Sequence, residues 1–398
     1  MVVGKDISGK THKVKVINYK GAEDTIRSIL SNIRAGKKIS TKTVKQSILC
    51  ENAINWNFIK QDKAFLDLCN AYESNNESMS AYYLHSSAKV RFGDAFYFDG
   101  SFNIPTKDIV IKKQARVDCW EIPYLKSSGF RATIHGFYPK SKKVKIAHGS
   151  QGMVMLDTKY KVIWRYANPD KFLFIEGKNV FPRFQQFCIA SNNKEEILYL
   201  LSLLNSKTIT LIIEKLCKSE NEKDILVGLS VIKQHVRVPA ITDHNRHIKK
   251  EVIDRTEEML GLEELTLSDY VDFSGILVQK FEDVRVEDND LILVHNGQEV
   301  VLPIKKNTSL VASSIAEQLG GQRSVLEKSH VSLQELRNLP IIDDQRQKIL
   351  KAYIDDLVFA LYFGIPLRAL GLKNATAVRK ACLTNQHYQY ILKYCRRP

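Results

Sequence analysis

The chain has 398 residues, of which 44% are hydrophobic and 26% charged, a composition typical of a globular protein with two or three cores. No stretch approaches the roughly 18 uninterrupted apolar residues of a membrane span. The start MVVGKDISGK lacks the apolar core of a secretory signal, so we expect a cytoplasmic protein with no membrane association. Seven scattered cysteines without a CxxC pair argue against a disulfide framework and a structural zinc site.

The net charge of +15 is unevenly distributed along the chain. Residues 1–60 carry 12 basic against 4 acidic side chains, and residues 86–190 carry 18 against 8. Residues 251–340 reverse the balance, with 8 basic against 17 acidic side chains. Two basic blocks followed by an acidic one are typical of a protein that turns one face toward a polyanion. A solvated lysine-rich surface is the alternative.

The N-terminal residues alternate as a β-hairpin does, with residues 2–3, a turn through GKDISGK, and a second strand through Val14 and Val16. Because a domain seldom begins inside a hairpin, we expect an upstream segment or another chain to complete this sheet. Two helices are predicted next. The first is AEDTIRSILSNIRAGKK, which ends at Gly36, and the second is WNFIKQDKAFLDLCNAYE over residues 56–73.

From about residue 88 to 190 the pattern changes to short β-rich runs divided by turn residues. The runs are KVRFGDAFYF, DIVIKK, RATIHGFY, KVKIAHG, GMVMLD, KVIWRY, KFLFIEG and FQQFCIA. A single long helix over residues 194–217 follows, and DHNRHIKKEVIDRTEEML predicts a second, more polar one.

The acidic stretch 265–310 predicts a small β element with a hairpin turn at Asn296–Gly297. The remaining chain predicts helices in SLQELRNL and DDQRQKILKAYIDDLVFALYFG, and a last helix that runs into Arg396 and Arg397. The order of these elements predicts an α+β fold, with a β-rich domain flanked by N-terminal and C-terminal helical segments.

Residues 4–11 spell the G-x-x-x-x-G-K-T pattern of a phosphate-binding loop. That loop needs a full buried strand before it and a helix N-terminus after it, because helical amides bind the phosphates. Only three residues precede this match and the alternating run HKVKVINY follows it, which favours a hairpin turn. A nucleotide hydrolase built on Gly9, Lys10 and Thr11 is the alternative.

Asp170, Glu176 and Lys178 spell the PD…ExK pattern of metal-dependent nucleases. Such a site needs its carboxylates on adjacent strands so that they share a metal. Only five residues separate Asp170 from Glu176, which favours a turn that enters the strand KFLFIEG, and a nuclease at these residues is the alternative. His244 and His247 have no carboxylate placed to complete a ligand set, so we expect capping or solvated roles and no metal.

Basic and aromatic side chains alternate in residues 110–190, as expected of a surface that binds duplex DNA. Lysine and arginine neutralise phosphates, and the run Lys140–Lys145 is the strongest phosphate candidate. The candidate DNA-binding residues are Lys112, Lys113, Arg116, Lys126, Arg131, His135, Lys140, Lys142, Lys143, Lys145, Lys178 and Arg183.

Other polar and aromatic residues of this region have two interpretations. Trp120, Trp164 and the alternating Phe172 and Phe174 are predicted to pack in the core. We interpret residues 185–186, both glutamine, as a polar pair on a sheet face, and base reading is the alternative.

The sequence holds no complete catalytic motif. An adenine methyltransferase needs an [DNS]-P-P-[YFW] loop for the flipped base, and the chain has no Pro-Pro. It also needs a glycine-rich turn for S-adenosylmethionine, and FDGSF at residues 98–102 only half resembles F-x-G-x-G. We therefore expect no catalysis by this chain alone.

Four pieces of the sequence, in order, resemble the specificity region of TaqI-like adenine-specific DNA methyltransferases and type IIG restriction-modification enzymes. LFIEGKNVFPRFQQFCIASNNKEEILYLLSLLNSKTITLIIEKL contains their "LLxLLNSK" signature, here residues 200–207. VRVPAITDHNRHIKKEVIDRTEEML is similar to the strand, proline and helix that follow. IDDLVFALYFGI resembles "IDELVYxLYGI" of these enzymes and of specificity subunits. KVKVINYK with NAINWNFI is similar to the segment that joins their methyltransferase and specificity domains.

The resemblance covers nearly the whole chain and implies a division into three regions. Residues 1–85 would form an N-terminal hairpin and helices that link to a methyltransferase domain. Residues 86–250 would form a TaqI-like DNA target-recognition domain, and residues 251–398 a small β element with a C-terminal helical region. The chain departs from the family in having no methyltransferase or nuclease domain, and no "GxxTG" turn around residues 100–130.

The resemblance also implies a function. The chain would be the sequence-specific DNA recognition component of a restriction-modification system, directing adenine methylation, with or without cleavage. The expected partners are double-stranded DNA and an adenine-specific methyltransferase domain or subunit. S-adenosylmethionine would be the cofactor of that partner, and no cofactor is expected in this chain. An inert fragment of such an enzyme is a further alternative.

Overall fold

The computed structural model of the protein has the α+β fold that the sequence predicts, with helices and small antiparallel sheets. The described residues are 13–16, 26–37, 42–45, 61–74, 76–85, 91–93, 118–125, 129–142, 155–182, 185–217, 224–305, 312–313, 315–316, 319, 331–341 and 343–395. The match to a phosphate loop at residues 4–11 and the runs DIVIKK and KVKIAHG lie outside them.

The helices are numbered in chain order. They are α1 (Ile26–Arg34), α2 (Lys63–Ser74), α3 (Met79–His85), α4 (Lys194–Leu204), α5 (Lys207–Cys217), α6 (Leu229–His235), α7 (Arg246–Gly261), α8 (Leu267–Tyr270), α9 (Leu333–Arg337), α10 (Asp344–Tyr362), α11 (Ala375–Leu383) and α12 (Gln386–Tyr394). A short 3-10 helix covers Ala369–Lys373.

The strands are short, and each pairing between them is antiparallel. They are β1 (Lys13–Val16), β2 (Lys42–Lys45), β3 (Asn76–Ser78), β4 (Arg91–Gly93), β5 (Cys119–Tyr124), β6 (Thr133–Pro139), β7 (Tyr160–Arg165), β8 (Leu173–Glu176), β9 (Gln186–Ser191), β10 (Arg237–Pro239), β11 (Lys280–Phe281), β12 (Asp283–Glu287), β13 (Asp290–His295), β14 (Gln298–Pro303) and β15 (Val331–Ser332).

A four-stranded sheet of order β4-β9-β7-β8 is buried on both faces. Val162 and Trp164 of β7 point into a large core shared with α4, α7 and α10. Ile163, between them, points into a second core. Because successive strand residues face opposite sides, the apolar runs VIW in β7 and FLFI at β8 are typical of strands that are covered on both faces.

The second core lies under an outer layer formed by β5 and β6, which we call the outer hairpin. Trp120 and Ile122 of β5 and Tyr138 of β6 pack there against Ile163 and the rest of the sheet's outer face. The predicted packing roles of Trp120, Trp164, Phe172 and Phe174 are confirmed, since none is more than 7% exposed. Strand β5, the sequence CWEIPY, is not among the predicted runs.

The prediction of a strand in GMVMLD is wrong, because residues 155–157 are helical. The turn that they form contacts a lysine that the fold buries completely, Lys161. Its Nζ donates to the carbonyls of Leu156 (3.3 Å), Thr158 and Gly177 (2.8 Å). A buried ammonium needs such acceptors, and a tight turn provides them where an extended strand would not.

The single helix predicted over 194–217 is in fact two helices, α4 and α5, bent by 55°. At the break, the Asn205 side chain accepts a hydrogen bond from the Phe172 amide (3.0 Å) and donates to its carbonyl (2.8 Å). Ser206 Oγ then accepts from the amide of Ile209 at the start of α5 (3.3 Å). The NSK sequence therefore ends one helix, binds the segment just before β8 and begins the next helix.

The acidic stretch forms a unit with its own core. Strands β12, β13 and β14 form a three-stranded sheet, packed with α8 and α9. The hairpin turn predicted at Asn296–Gly297 is confirmed, because both residues are left-handed, with φ of 50° and 72°. The capping box of Ser332 and Glu335 begins α9 inside the predicted SLQELRNL helix.

The C-terminal region is helical as predicted, but it ends in two short helices, α11 and α12, where one was predicted. Asn385 separates them and accepts a hydrogen bond from the His387 amide at the start of α12 (2.8 Å). Helix α10 fills the predicted range and stops before Gly364, which is left-handed (φ 62°). Within the described residues no single helix is long and apolar enough to cross a membrane, although the bent pair α4–α5 meets that criterion jointly.

Candidate nucleic-acid interface

A polar cleft of about 270 Å³ opens where the outer hairpin meets the ends of β7 and β9. We call it the hairpin cleft. Its lining residues are Pro123, Tyr124, Leu125, His135, Arg165, Ala167, Gln185 and Gln186. Tyrosine, histidine, arginine and glutamine are residues that stack on bases or form hydrogen bonds with their edges.

A β-bulge places His135 in this cleft. The register of the outer hairpin pairs Ile122 with Gly136 and Pro123 with Ile134, so His135 is the extra residue. Pro123 has no N–H to donate to the ladder, which accounts for a bulge opposite it. Bulges re-aim side chains, and here the exposed His135 ring lies 5.6 Å from that of Tyr124, which is itself 49% exposed.

Arg165 is the last residue of β7, and its guanidinium is fixed at one nitrogen. Its Nη2 donates to the carbonyl of Leu125 at 2.7 Å, which ties the strand to the end of β5. The residue is nevertheless exposed. Arginine carries five N–H donors in a planar fork, so this bond orients the group while the fork retains donors for a ligand.

Gln185 and Gln186 do not form the polar pair on a sheet face that we predicted. Gln186 begins β9 opposite Arg165 and is only 8% exposed. Gln185 precedes the strand, is exposed, and has a left-handed backbone (φ 65°). Its carbonyl accepts from the Tyr166 amide at 2.8 Å, which holds the residue beside the end of β7. Left-handed backbone is unfavourable for a residue with a Cβ and is found repeatedly at functional sites.

Two of the predicted phosphate-binding lysines lie at the opposite end of the outer hairpin. Lys140 forms an ion pair with Asp118 (3.0 Å), a hydrogen bond with Asn179 (2.9 Å) and a cation–π contact over Trp120 (4.6 Å). Lys142 is exposed in the turn that follows β6. Lys140 is therefore partly neutralised by its neighbours. Lys142 is exposed and lies over the ring of Tyr138 (6.0 Å to the centroid).

Arg131 and Lys178 are paired with carboxylates. Arg131 donates through Nε to the Leu260 carbonyl (3.1 Å) and forms an ion pair with Glu264 (2.9 Å) at the C-terminal end of α7. Lys178 lies 3.8 Å from Asp157. Arg131 thus fastens the β-rich region to the helices. The other candidate DNA-binding residues, Lys112, Lys113, Arg116, Lys126, Lys143, Lys145 and Arg183, lie outside the described residues.

Lys161 contributes an internal positive charge. Burial lowers the pKa of Lys161 to about 8. Because its Nζ is enclosed by three backbone carbonyls, this charge stabilises the turn at residues 155–158 and is not presented to a ligand.

The three residues of the nuclease pattern are not brought together. Asp170 lies before β8, whereas Glu176 is its last residue, and a four-residue strand spans about 10 Å. Glu176 forms an ion pair with Lys159 (3.0 Å). Two carboxylates that share an ion must each reach it within about 2.6 Å, so Asp170 and Glu176 do not form such a site.

The two histidines of the sequence analysis also lie apart from any ligand cluster. His247 bonds through Nε2 to the Leu367 carbonyl (2.7 Å), and His244 is exposed. In the part of the chain that the structure describes, no three His, Cys, Asp or Glu side chains are grouped so that they could hold a metal ion.

A larger cavity, of about 380 Å³, lies between the loop before β8 and the helix pair α4–α5. Phe130 and Phe172 line it together with charged groups of both signs, among them Lys171 and Glu214. Burial lowers the pKa of Lys171. Since positive and negative groups alternate here, this cavity lacks the positive field that attracts nucleic acid.

No protein-family model matches this chain. No curated protein sequence matches it either. Among solved structures, the chain is similar to the type IIG restriction endonuclease BpuSI, with 12% identity, coverage of 81% of this chain and 36% of that chain, and a TM-score of 0.27. It is also similar to a type I restriction-modification system S subunit from M. genitalium, with 10% identity, coverage of 78% and 97%, and a TM-score of 0.24.

The chain spans about a third of the length of that type IIG endonuclease. At TM-scores this low, neither similarity carries an argument about fold or function. The hairpin cleft, the outer hairpin and the charge distribution are the features of this chain that bear on its function.

Proposed function

We propose that this chain is the DNA-recognition component of a restriction-modification system and directs adenine methylation by a separate methyltransferase domain or subunit. The observation that carries this proposal is the outer hairpin. It is an added layer with a polar, base-compatible cleft at one end and exposed Lys142 at the other. The sequence resemblance to TaqI-like and type IIG specificity regions supplies the biological context.

The dimensions of the outer hairpin suit the major groove. From His135 to Pro139, β6 advances about 13 Å, at 3.3 Å per residue. The major groove of B-DNA is about 12 Å wide and admits a two-stranded β-ribbon. A ribbon that enters there can bring the hairpin cleft to base edges while Lys142 reaches the flanking phosphates.

The charge distribution supports the same orientation. The unit that contains α8, α9 and β11–β15 lies in the sequence block with 17 acidic against 8 basic residues. Arg285 of β12 forms ion pairs with three carboxylates of this unit, those of Asp283, Glu287 and Glu299. Repulsion between this unit and phosphates would keep it away from DNA and leave it able to contact a partner protein.

The first test is the binding of the purified chain to duplex DNA across a range of salt concentrations. Each neutralised phosphate contributes about −0.9 to the slope of log affinity against log salt. We expect the double variant Lys142→Ala and Lys143→Ala to reduce the magnitude of that slope by up to about 2. Lys250→Ala is the control, because Lys250 is an exposed lysine of α7, outside the outer hairpin, and forms an ion pair with Asp254. An unchanged slope in the double variant contradicts the assignment of this end to phosphate.

The second test concerns catalysis. We expect no methyl transfer from S-adenosylmethionine to DNA by the purified chain, and sequence-specific transfer when the partner methyltransferase is added. Methyl transfer by the pure chain would overturn the proposal.

A further inference from the structure

We infer that Arg165 and Gln185 are the base-reading residues of the hairpin cleft, with Arg165 specific for a guanine and Gln185 for a neighbouring adenine in the major groove. This inference rests on the proposed function and goes further by naming the ligand atoms. Guanine presents the acceptors O6 and N7 there, and adenine presents the acceptor N7 and the N6 amino donor.

Arg165 has the geometry that guanine recognition requires. Its backbone is held in β7 by pairing with Gln186, and its guanidinium is held by the Leu125 carbonyl at 2.7 Å. A group that is already ordered loses little conformational entropy when it binds. The planar fork can donate two parallel hydrogen bonds to O6 and N7, which a lysine ammonium cannot reproduce.

Gln185 has the donor and the acceptor that adenine requires. Its amide can accept from N6 and donate to N7 at the same time. The backbone bond between the Tyr166 amide and the Gln185 carbonyl (2.8 Å) places it across from the residue that follows Arg165. Neighbouring strands lie about 4.8 Å apart, which is close to the 3.4 Å rise between base pairs, so the two side chains can address adjacent pairs.

The composition of the hairpin cleft favours base reading over phosphate binding. Among its described lining residues Arg165 is the only side chain with a permanent charge, and none is a carboxylate. The others are hydrogen-bonding or apolar groups, including exposed Tyr124 and His135. The exposed lysine at the other end of the outer hairpin is Lys142, whereas Lys140 there forms an ion pair with Asp118.

The inference is tested by selection of bound duplexes from a randomised DNA library, with the full chain as the binding protein. We expect the wild-type chain to enrich a short motif that contains a G next to an A. Arg165→Lys retains the charge and loses the fork, so it should lose the preference at the G, a change of roughly 5- to 150-fold in discrimination. Gln185→Ala should lose the preference at the A by a similar factor.

Controls separate base reading from other causes. Lys142→Ala should weaken binding to all sequences and leave the motif unchanged. Gln185→Gly also removes the side chain but relieves the left-handed backbone, so a shared phenotype with Gln185→Ala excludes misfolding as the cause. Replacement of the G by 7-deazaguanine should reduce the affinity of the wild-type chain for DNA. The same replacement should leave the affinity of Arg165→Lys unchanged.

The outcomes are distinct. An unaltered motif in Arg165→Lys and Gln185→Ala would overturn the inference and leave the proposed function standing. In Arg165→Ala, which removes the charge, a uniform loss of affinity across sequences with the salt slope reduced by about 1 would make Arg165 a phosphate contact and also overturn it. Wild-type binding without any motif would overturn both the inference and the proposed function.

Discussion

The clearest test of the energetics of the helical core is the substitution Asp356→Asn. Asp356 lies on α10, is 4% exposed, and accepts a hydrogen bond from the hydroxyl of Tyr388 on α12. Burial raises the pKa of the Asp356 carboxyl to about 6, against the opposing influence of Tyr388 and Arg379. The folded protein therefore prefers the neutral acid, which asparagine imitates in shape and in its acceptor oxygen.

The expected effect follows from the sign of this pKa change. A carboxyl whose pKa is 3.8 when unfolded and about 6 when folded stabilises the protein fully below pH 3.8. This contribution disappears as the pH rises through about 6. Its full size is about 3 kcal/mol, at about 1.4 kcal/mol per tenfold change in proton affinity. About 1.4 kcal/mol of it is lost between roughly pH 5 and pH 8.

We therefore expect the stability of Asp356→Asn, relative to the wild type, to increase by about 1.4 kcal/mol from roughly pH 5 to pH 8. The assay is guanidinium unfolding at both pH values, followed by circular dichroism and by tryptophan fluorescence, to which Trp164 of the same core contributes. If the stability difference between Asp356→Asn and the wild type were the same at both pH values, the pKa of Asp356 would not be raised in the folded protein.

The neighbouring carboxylate provides the matched control. Asp355 Oδ1 accepts from the Lys207 amide (3.2 Å) and forms an ion pair with Lys351 (2.6 Å). Asp355→Asn breaks a buried ion pair, so it should destabilise the protein by about 3 kcal/mol. Opposite signs for the two substitutions at pH 8 would distinguish the ionisation of Asp356 from a general effect of changing this helix.

Three further substitutions test other parts of the structure. Gly129→Ala should destabilise the protein by at least about 1 kcal/mol in a thermal melt, because Gly129 is left-handed (φ 70°) and an added Cβ would collide with the Glu263 carboxylate. A neutral result would mean that the loop shifts freely. Asn205→Ala should cost about 2–3 kcal/mol in guanidinium unfolding, because it removes both bonds to Phe172. Asn205→Asp, which keeps the acceptor, should cost less, and equal losses would count against the role of the acceptor. Gln185→Gly should lower DNA selectivity without lowering the free energy of unfolding by more than about 1 kcal/mol; a larger loss would show that the side chain supports the fold.

The sequence predicted those turns and helix ends that depend on residues next to them in the chain. The turn at Asn296–Gly297 needs two left-handed residues, and Asn-Gly is the pair that adopts that backbone most readily. Gly36 and Gly364 follow helix ends for the same reason, with φ of 66° and 62°. Helix α10 was also predicted, and its second half, Tyr353–Tyr362, is buried on every side.

Elements that depend on contacts between residues far apart in the sequence were not predicted. The apolar spacing of residues 194–217 continues through Asn205, and the break results from its bonds to Phe172, which is 33 residues away in sequence. GMVMLD has the composition of a strand, but residues 155–157 are helical, and the carbonyl of Leu156 among them accepts a hydrogen bond from the buried Lys161. A side chain that acts across the fold leaves no periodic signal in its own segment.

The residues of the candidate site also divide into those that local sequence patterns indicated and those that only the folded structure indicates. A count of basic residues selected Arg131 and Lys178, yet folding brings Glu264 and Asp157 to them. Arg165 was overlooked, because one arginine at the end of an apolar strand carries no local signal. Its position becomes meaningful only when β7 pairs with β9 and the outer hairpin covers the sheet. The motif resemblance indicated the region of the chain, whereas the choice of residues required the three-dimensional arrangement.

The central sheet, covered on both faces, also has a consequence for how such a protein can change over time. Its inner face shares one core with the helices and its outer face shares a different core with the outer hairpin. Tyr124 and His135 belong to the outer hairpin, and Arg165 is the exposed last residue of β7. Under the proposed function, substitutions at these exposed positions would alter the favoured DNA site while the helical core keeps its packing. The residues that would set DNA specificity are thus separate from the residues that stabilise the fold.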